Sequence, residues 1–424
     1  MNDLTLSNKS VLAELEIDKS AIKLIYPRWK RSHYRAVVNW LEKYKFSENA
    51  SNLEKVYGYL EAFYHLCEVQ DLQAATKIPF IRLNTPTQDE LHIQLYIWGY
   101  YQVQIQMEEK LLEIFHVVGD VYREVSTLGW LGTVHQSIGN YSKALEYHQK
   151  SLSIAREIGD CDGENIALTN LGVVNLSIGH YQQAIRLYEQ ALKLAREANS
   201  HIREGSILGS LGFAYSSLGE YEQAITLYEQ HLRIARKVGD RFMEARELSN
   251  LGSAYMYLGN YSQATDYLQK ALNISLEIGD RFGEGSTTGS LGIVYHLLGN
   301  HVTAIQYHER HLNIAREIGS YQEEGLALEH LGKVFLKLKY YQKAHEVLSE
   351  ALKISEKTGS QPRRVSILGK LAELYYLTGE FELAQKHFNQ ALSVATDLGI
   401  PLTEELKGIL EQSEAGTESS VTLK

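Results

Sequence analysis

Apolar residues recur three or four apart between Arg241 and Leu258: Leu248, Leu251, Ala254, Tyr255 and Leu258. That spacing lines one face of an α-helix. After Gly259-Asn260 the same period resumes from Tyr261 to Ile278, with Ala264, Tyr267, Leu268, Leu272 and Ile274. The pattern predicts two helices, A and B. A two-residue break between them forces an antiparallel hairpin. Gly259 suits the left-handed conformation that ends many helices. Gly279 closes helix B, Asp280 is placed to cap the next helix, and Glu284 falls in its first turn, where a negative charge suits the helix dipole.

This hairpin recurs every 40 residues. Leu-Gly stands at 131–132, 171–172, 211–212, 251–252, 291–292 and 331–332, and becomes Leu371-Ala372. Alanine stands at 144, 184, 224, 264, 304, 344 and 384. Glycine stands at 119, 159, 239, 279, 319, 359 and 399, with Asn199 in the remaining place. The A–B breaks are Gly-Asn, Gly-His or Gly-Glu, except Lys339-Tyr340. A period of this length marks a solenoid or array. Glycine inside a helix costs about 1 kcal/mol relative to alanine, so the Leu-Gly glycine needs a packing reason. Counting across the turn places Gly132 opposite Ala144, and two small residues there would let the helices approach. Tyr141, Tyr181, Tyr221, Tyr261, Tyr341 and Phe381 open helix B and are expected to fill the wedge between neighbouring hairpins.

Leu211, Gly212, Tyr215, Gly219, Tyr221, Ala224 and Tyr228 show a spacing that resembles the tetratricopeptide repeat. The usual unit has about 34 residues. The longer form, with strings such as IAREIGD, is similar to the repeats of Pins/LGN-type adaptors and of bacterial arrays. Arg156, Arg196, Arg236 and Arg316 stand where the family usually has proline, which fits a helix B longer by one turn. The resemblance covers about residues 121–399. It implies an all-α fold, a right-handed α-solenoid of antiparallel helix hairpins, and a function in protein interaction.

The remaining sequence is less regular. Residues 1–90 read as an N-terminal helical region. Met1 to Ser20 is expected to be frayed or weakly helical, followed by a short helix, a turn at Pro27 and a helix from Ser32 to Tyr44. Leu53 to Ala75 reads as a degenerate hairpin, and Pro79 and Pro86 bracket a loop. Residues 91–120 read as a decayed repeat, because Gly99, Tyr101 and Leu112 precede Gly139, Tyr141 and Leu152 by one period. Residues 121–399 form the tandem array. Residues 400–412, opening with Pro401 and carrying Leu402, Leu406, Ile409 and Leu410, are expected to be a capping helix. Residues 413–424 are polar and expected to be disordered.

Composition narrows the function. The net charge of −10 over 424 residues disfavours a nucleic-acid binder, which needs a basic face. Cys67 and Cys161 make no disulfide framework or metal knuckle. The N-terminus lacks a signal-peptide apolar core, and no apolar run reaches membrane-spanning length. A cytoplasmic location is expected, with oligomeric state open. The basic cluster Arg28, Lys30, Arg31, Arg35 reads as a solvated helix face.

Catalytic motifs are missing: there is no Walker loop, isolated dinucleotide fingerprint or nucleophile elbow. No enzyme, cofactor or metal is expected. His308 and His311, flanking Glu309, have metal-like spacing, yet they occupy the slots of Tyr188 and Ala191 and read as structural. The arginines ending helix B read as surface ion-pair partners.

The resemblance places a binding groove along the concave face lined by helix A. On this sequence its exposed positions map to Phe213, Arg246, Asn250, Ser253, Tyr257, Gly289, Ile293, His296, Lys333 and Lys337. The expected partner is a protein or peptide segment. The alternative is a peptide-sensing signalling regulator whose N-terminal helices act as output module. Alternate copies also resemble each other, as in SILGSLG (206–212) and STTGSLG (286–292), against RELSNLG and LALEHLG. Gly209 and Gly289 could form shallow groove floors open to a partner's backbone. Duplication of an 80-residue block, without functional meaning, is the preferred reading.

Overall fold

The computed structural model describes residues 8–47, 49–85, 88–358 and 360–398. The expected capping helix and tail, together with Pro86, Gly359 and Gly399, lie outside these residues. Among the described residues the chain is all-α, with no β-strand beyond an isolated bridge between Arg82 and Glu90. It divides into two compact units, residues 1–200 and 201–424.

The first unit begins irregularly. Helix α1 spans Asn8–Glu14, α2 Arg28–Lys43, α3 Asn52–Glu68, α4 Leu72–Ala75 and α5 Leu91–Ile97. A helix already forms at Asn8, and Val11, Leu12 and Leu15 are buried in the core. Burial of this apolar triplet explains why the segment departs from the frayed expectation. Helix α2 starts four residues earlier than expected, because Pro27 precedes the helix with an extended backbone instead of interrupting it. The expected hairpin at 53–75 is also different. Its second arm is only the four-residue α4, and α3 packs mainly against α2. One core runs from Val11 through Phe63, Leu91 and Phe115.

Helix α6, Tyr101–Val118, has the full length of a helix B, whereas α5 before it is short. The decay of this copy is therefore confined to its first helix. Regular hairpins follow: α7 Val121–Ser137 with α8 Tyr141–Ile158, and α9 Cys161–Ser177 with α10 Tyr181–Glu197.

The second unit contains five hairpins. They are α11 His201–Ser217 with α12 Tyr221–Val238, α13 Arg241–Tyr257 with α14 Tyr261–Ile278, α15 Arg281–Leu297 with α16 His301–Glu317, α17 Tyr321–Lys337 with α18 Tyr341–Thr358, and α19 Gln361–Leu377 with α20 Phe381–Leu398. Each helix packs against its hairpin partner, and adjacent hairpins pack in series. Caps set the boundaries. The Asp240 and Asp280 side chains accept hydrogen bonds from the Met243 and Gly283 amides, satisfying donors that a helix start leaves orphaned. Asn260 and Asn300 do the same for helices α14 and α16. Asn199 takes the left-handed backbone that glycine adopts in the equivalent turns, with φ +52°.

The Leu-Gly glycine has a different partner from the one expected. A Cβ on Gly132 would lie 2.5 Å from the His148 ring, not against Ala144. The same slot holds Tyr188 against Gly172, Tyr228 against Gly212, Leu268 against Gly252, His308 against Gly292 and Leu348 against Gly332. All six side chains are buried. A side chain on a helix leans toward its N-terminus, so a residue one turn beyond the alanine covers the glycine. Burying one such side chain stabilises by about 1.5–3 kcal/mol, which offsets the glycine cost of about 1 kcal/mol.

The tyrosines opening helix B are half-buried. Tyr221 stacks on Tyr257 of the next hairpin, with ring centroids 5.2 Å apart. Tyr255 with Tyr267, and Tyr295 with Tyr307, stack in parallel within their hairpins.

Candidate binding surface

Helix A of each regular copy buries its Leu-Gly face inside the hairpin. Residues one and five positions beyond the glycine are the more exposed ones, as at Phe213, Tyr257 and Lys337, whereas Met256 and Leu336, four beyond it, are buried. Phe213 on α11 and Tyr257 on α13 are large apolar side chains left 58% and 62% exposed. Ser253 and Ile293 are half-buried, and Lys337 is exposed.

Arg246 and Asn250 reach the surface but are tethered. Arg246 Nε donates to Glu247 Oε1 at 3.0 Å, and Asn250 Nδ2 donates to Glu247 Oε2 at 3.2 Å. Glu247 is fully buried and lies 3.1 Å from His231 Nδ1, close enough for a charge pair although the angle falls short of a directed hydrogen bond. Burial alone would raise the Glu247 carboxyl; the contacts from His231, Arg246 and Asn250 outweigh it and hold the group below the usual range. This network fixes two expected groove residues in place, a role not legible from spacing.

Gly289 does not stand free. It is buried, and a Cβ there would meet His311 Nδ1 at 2.7 Å. Gly209 faces His231 in the same way at 2.9 Å. The glycines that could have formed open groove floors, the less favoured of the two readings, are filled by histidines of helix B. The 80-residue alternation has a packing cause at these copies: His231 and His311 stand where Ala191, Ala271 and Ala351 occur elsewhere. Arg156, Arg236 and Arg316 pair with Glu164, Glu244 and Glu324 across the B–A corner at 2.7, 2.8 and 2.7 Å.

His308 and His311 are core residues with separate surroundings. His308 fills the space under Gly292 and stacks on His330, with centroids 5.2 Å apart. Burial, followed by the neighbouring His330 and His311, pushes the His308 imidazole far down, so it is neutral. His311 Nε2 lies 3.0 Å from Glu323 Oε2. Glu309 is exposed on the other side of the helix. Among the described residues no group of three or more His, Cys, Asp or Glu is arranged to hold a metal.

The A-helix surface changes character toward the C-terminal copies. His296, Lys333 and Lys337 line a cavity of about 460 Å³ together with Lys339 and, from α19, Lys370 and Glu373. The first three are groove residues expected from the sequence; Lys339 and Lys370 are not among them. The available signal was a lysine in the A–B turn where every other regular copy has glycine.

Comparison with known proteins follows the same boundaries. The tetratricopeptide repeat family model matches residues 123–197, 168–237, 203–277, 243–317, 283–357 and 323–397. No curated protein matches the sequence. The apo form of RapI is 16% identical over 65% of this chain and 99% of that one, with a TM-score of 0.54. A Rap protein complexed with Competence and Sporulation Factor is 16% identical over 92% of this chain and 99% of that one, with a TM-score of 0.51. A signal transduction ATPase with a tetratricopeptide repeat sensor from Pyrococcus horikoshii is 17% identical, covering 97% of this chain and 66% of that one, with a TM-score of 0.53. At these identities the likeness is one of fold. No helix among the described residues is long and apolar enough to cross a membrane.

Proposed function

The chain belongs to the tetratricopeptide repeat family, and from that premise we propose that the helix-A face of residues 201–398 receives a protein or peptide segment. The observation that carries this reading is the pair of large apolar side chains, Phe213 and Tyr257, exposed on helices whose opposite faces are packed. Isolated exposed apolar residues need no explanation. These two share one register with half-buried Ile293 and with the cations Lys333 and Lys337. An extended or helical segment laid along such a face gains apolar contact and polar anchoring together. The tethering of Arg246 and Asn250 to Glu247 supports it, because a fixed polar group loses less freedom on binding.

A photo-crosslinking residue in place of Phe213 or Ile293 should capture a partner in native lysate. The same residue in place of Gln306, exposed on helix B, should not. Equal capture from both faces, or none from helix A, sinks the assignment.

A second reading treats the chain as a peptide-responsive regulator with the N-terminal helices as output module. The core built from α1 to α6 favours it, since the helices before α6 form no regular repeat hairpin. Ligand-dependent protection of residues 8–118 from proteolysis would separate it from a passive scaffold.

A further inference from the structure

The cavity at the end of α17 stands out in a chain of net charge −10. Four lysines line it against one carboxylate: Lys333 and Lys337 from α17, Lys339 from the turn, Lys370 with Glu373 from α19. Two of these charges are already partnered. Lys333 Nζ lies 2.8 Å from Glu329 Oε1, and Lys370 Nζ lies 2.9 Å from Glu373 Oε2. Lys337 and Lys339 have no ion pair among the described residues.

Lys339 is the second observation. Its φ is +60°, at the turn position where Gly139, Gly179, Gly219, Gly259, Gly299 and Gly379 have φ between +76° and +83°. L side chains resist this conformation, because Cβ crowds the following carbonyl. The chain thus carries a strained residue where its own repeats show that glycine suffices. Strain of this kind gathers at functional positions. The strained residue is also a cation, and it faces a cavity that already holds others. His296 reports the resulting field: burial, then His301, Lys337 and Lys333, push its imidazole down.

The charges are distributed over α17, its turn and α19, instead of converging on one point. Leu377 and Tyr341 leave apolar surface beside them. A distributed set of point charges next to apolar surface suits several carboxylates on an extended chain better than one compact phosphate, which favours convergent or bidentate donors. We propose that this cavity seats an acidic segment of a partner protein, with carboxylates on Lys337 and Lys339 and an apolar side chain against Leu377 and Tyr341. This rests on the helix-A face being the binding face and names the chemistry of what binds there.

The test uses the full chain and a fluorescein-labelled peptide of alternating Glu and Leu, read by anisotropy. The Gln–Leu peptide is one control. The variant Lys343→Ala is another, because Lys343 lies over the Phe335 and Tyr340 rings outside the cavity lining. The Glu–Leu peptide should bind, more weakly as salt rises. Lys337→Ala should weaken it about tenfold, the value of one charge-assisted contact, and Lys343→Ala should leave it unchanged. Equal binding of the Gln–Leu peptide overturns the proposal. So does an unchanged affinity in a folded Lys337→Ala chain, or competition-free binding of inorganic phosphate without binding of the peptide. If the peptide fails while crosslinkers at Phe213 and Ile293 still capture a partner, the acidic assignment falls and the binding face stands. If the crosslinkers fail as well, the face itself is wrong.

Discussion

Hairpin α15/α16 and its successor α17/α18 share one register and use it differently. In the first, Gly289 and Gly292 leave space on helix A, and His311 and His308 fill it from helix B. In the second, the corresponding positions hold Glu329 and Gly332, opposed by Ala351 and Leu348. Each departure in the first hairpin has a compensating partner inside the core. The second hairpin contains a departure without one: Lys339 in a left-handed turn, beside a cavity lined by lysines. The difference separates two kinds of sequence variation. Compensated changes keep the stack together, and the uncompensated one is the basis of the proposed acidic-segment site.

The comparison breaks most readily at the glycines. Gly292→Leu forces a side chain into the His308 ring, 2.5 Å from the nearest Cβ position. It should cost about 3 kcal/mol in denaturant unfolding, the upper range for overpacking a core. A loss below about 1 kcal/mol would mean the hairpin can open at no great expense. Gly289→Ala should cost about 2 kcal/mol through contact with His311. Adding His311→Ala should recover part of that loss, as coupled neighbours do in a double-mutant cycle. Additive losses would show that the 80-residue alternation is not a packing couple.

Histidine in the slot below the glycine adds a pH dependence that leucine does not. The folded His308 pKa lies far below its ordinary 6.5. The unfolded chain therefore takes up a proton that the folded chain refuses, and stability falls as pH drops below about 6.5. The slope is about 1.4 kcal/mol per pH unit for each such group. His148, depressed to about 4 by burial, contributes the same slope down to that pH. His308→Leu copies Leu268 and Leu348, should change stability little at pH 7, and should flatten the acid limb of Tm against pH. An unaltered acid limb would contradict a neutral buried imidazole. The smallest effect belongs to the corner arginines. Arg316→Ala removes pairs with Glu324 and Glu350, yet its side chain is nearly half exposed, so about 0.5 kcal/mol is expected.

Much of this was legible in the sequence because each hairpin repeats its own punctuation. Asp280 caps, Gly279 ends, and Gly259 turns, and the helices begin and stop where those residues stand. The slots that His308 and His311 share with Tyr188 and Ala191 mark them as structural, and they are buried. What spacing cannot give is reach. Counting paired Gly132 with Ala144, whereas the longer His148 one turn on covers the glycine. Gly289 looked open because its register faces outward, but His311 crosses from helix B to fill it. The N-terminal helices were harder, because α4 and α5 stop after four and seven residues and follow no repeat. On the candidate surface the A-helix register was visible, and the convergence of Lys339 and Lys370 on one cavity was not.

Lys339→Gly tests the central claim most directly, because it removes strain and charge together. The account predicts opposite movements: Tm rises by about 2 °C as the left-handed turn relaxes, while affinity for the Glu–Leu peptide falls about tenfold. A higher Tm with unchanged affinity would contradict it, since Lys339 would then be a local defect of the turn and not part of a binding site.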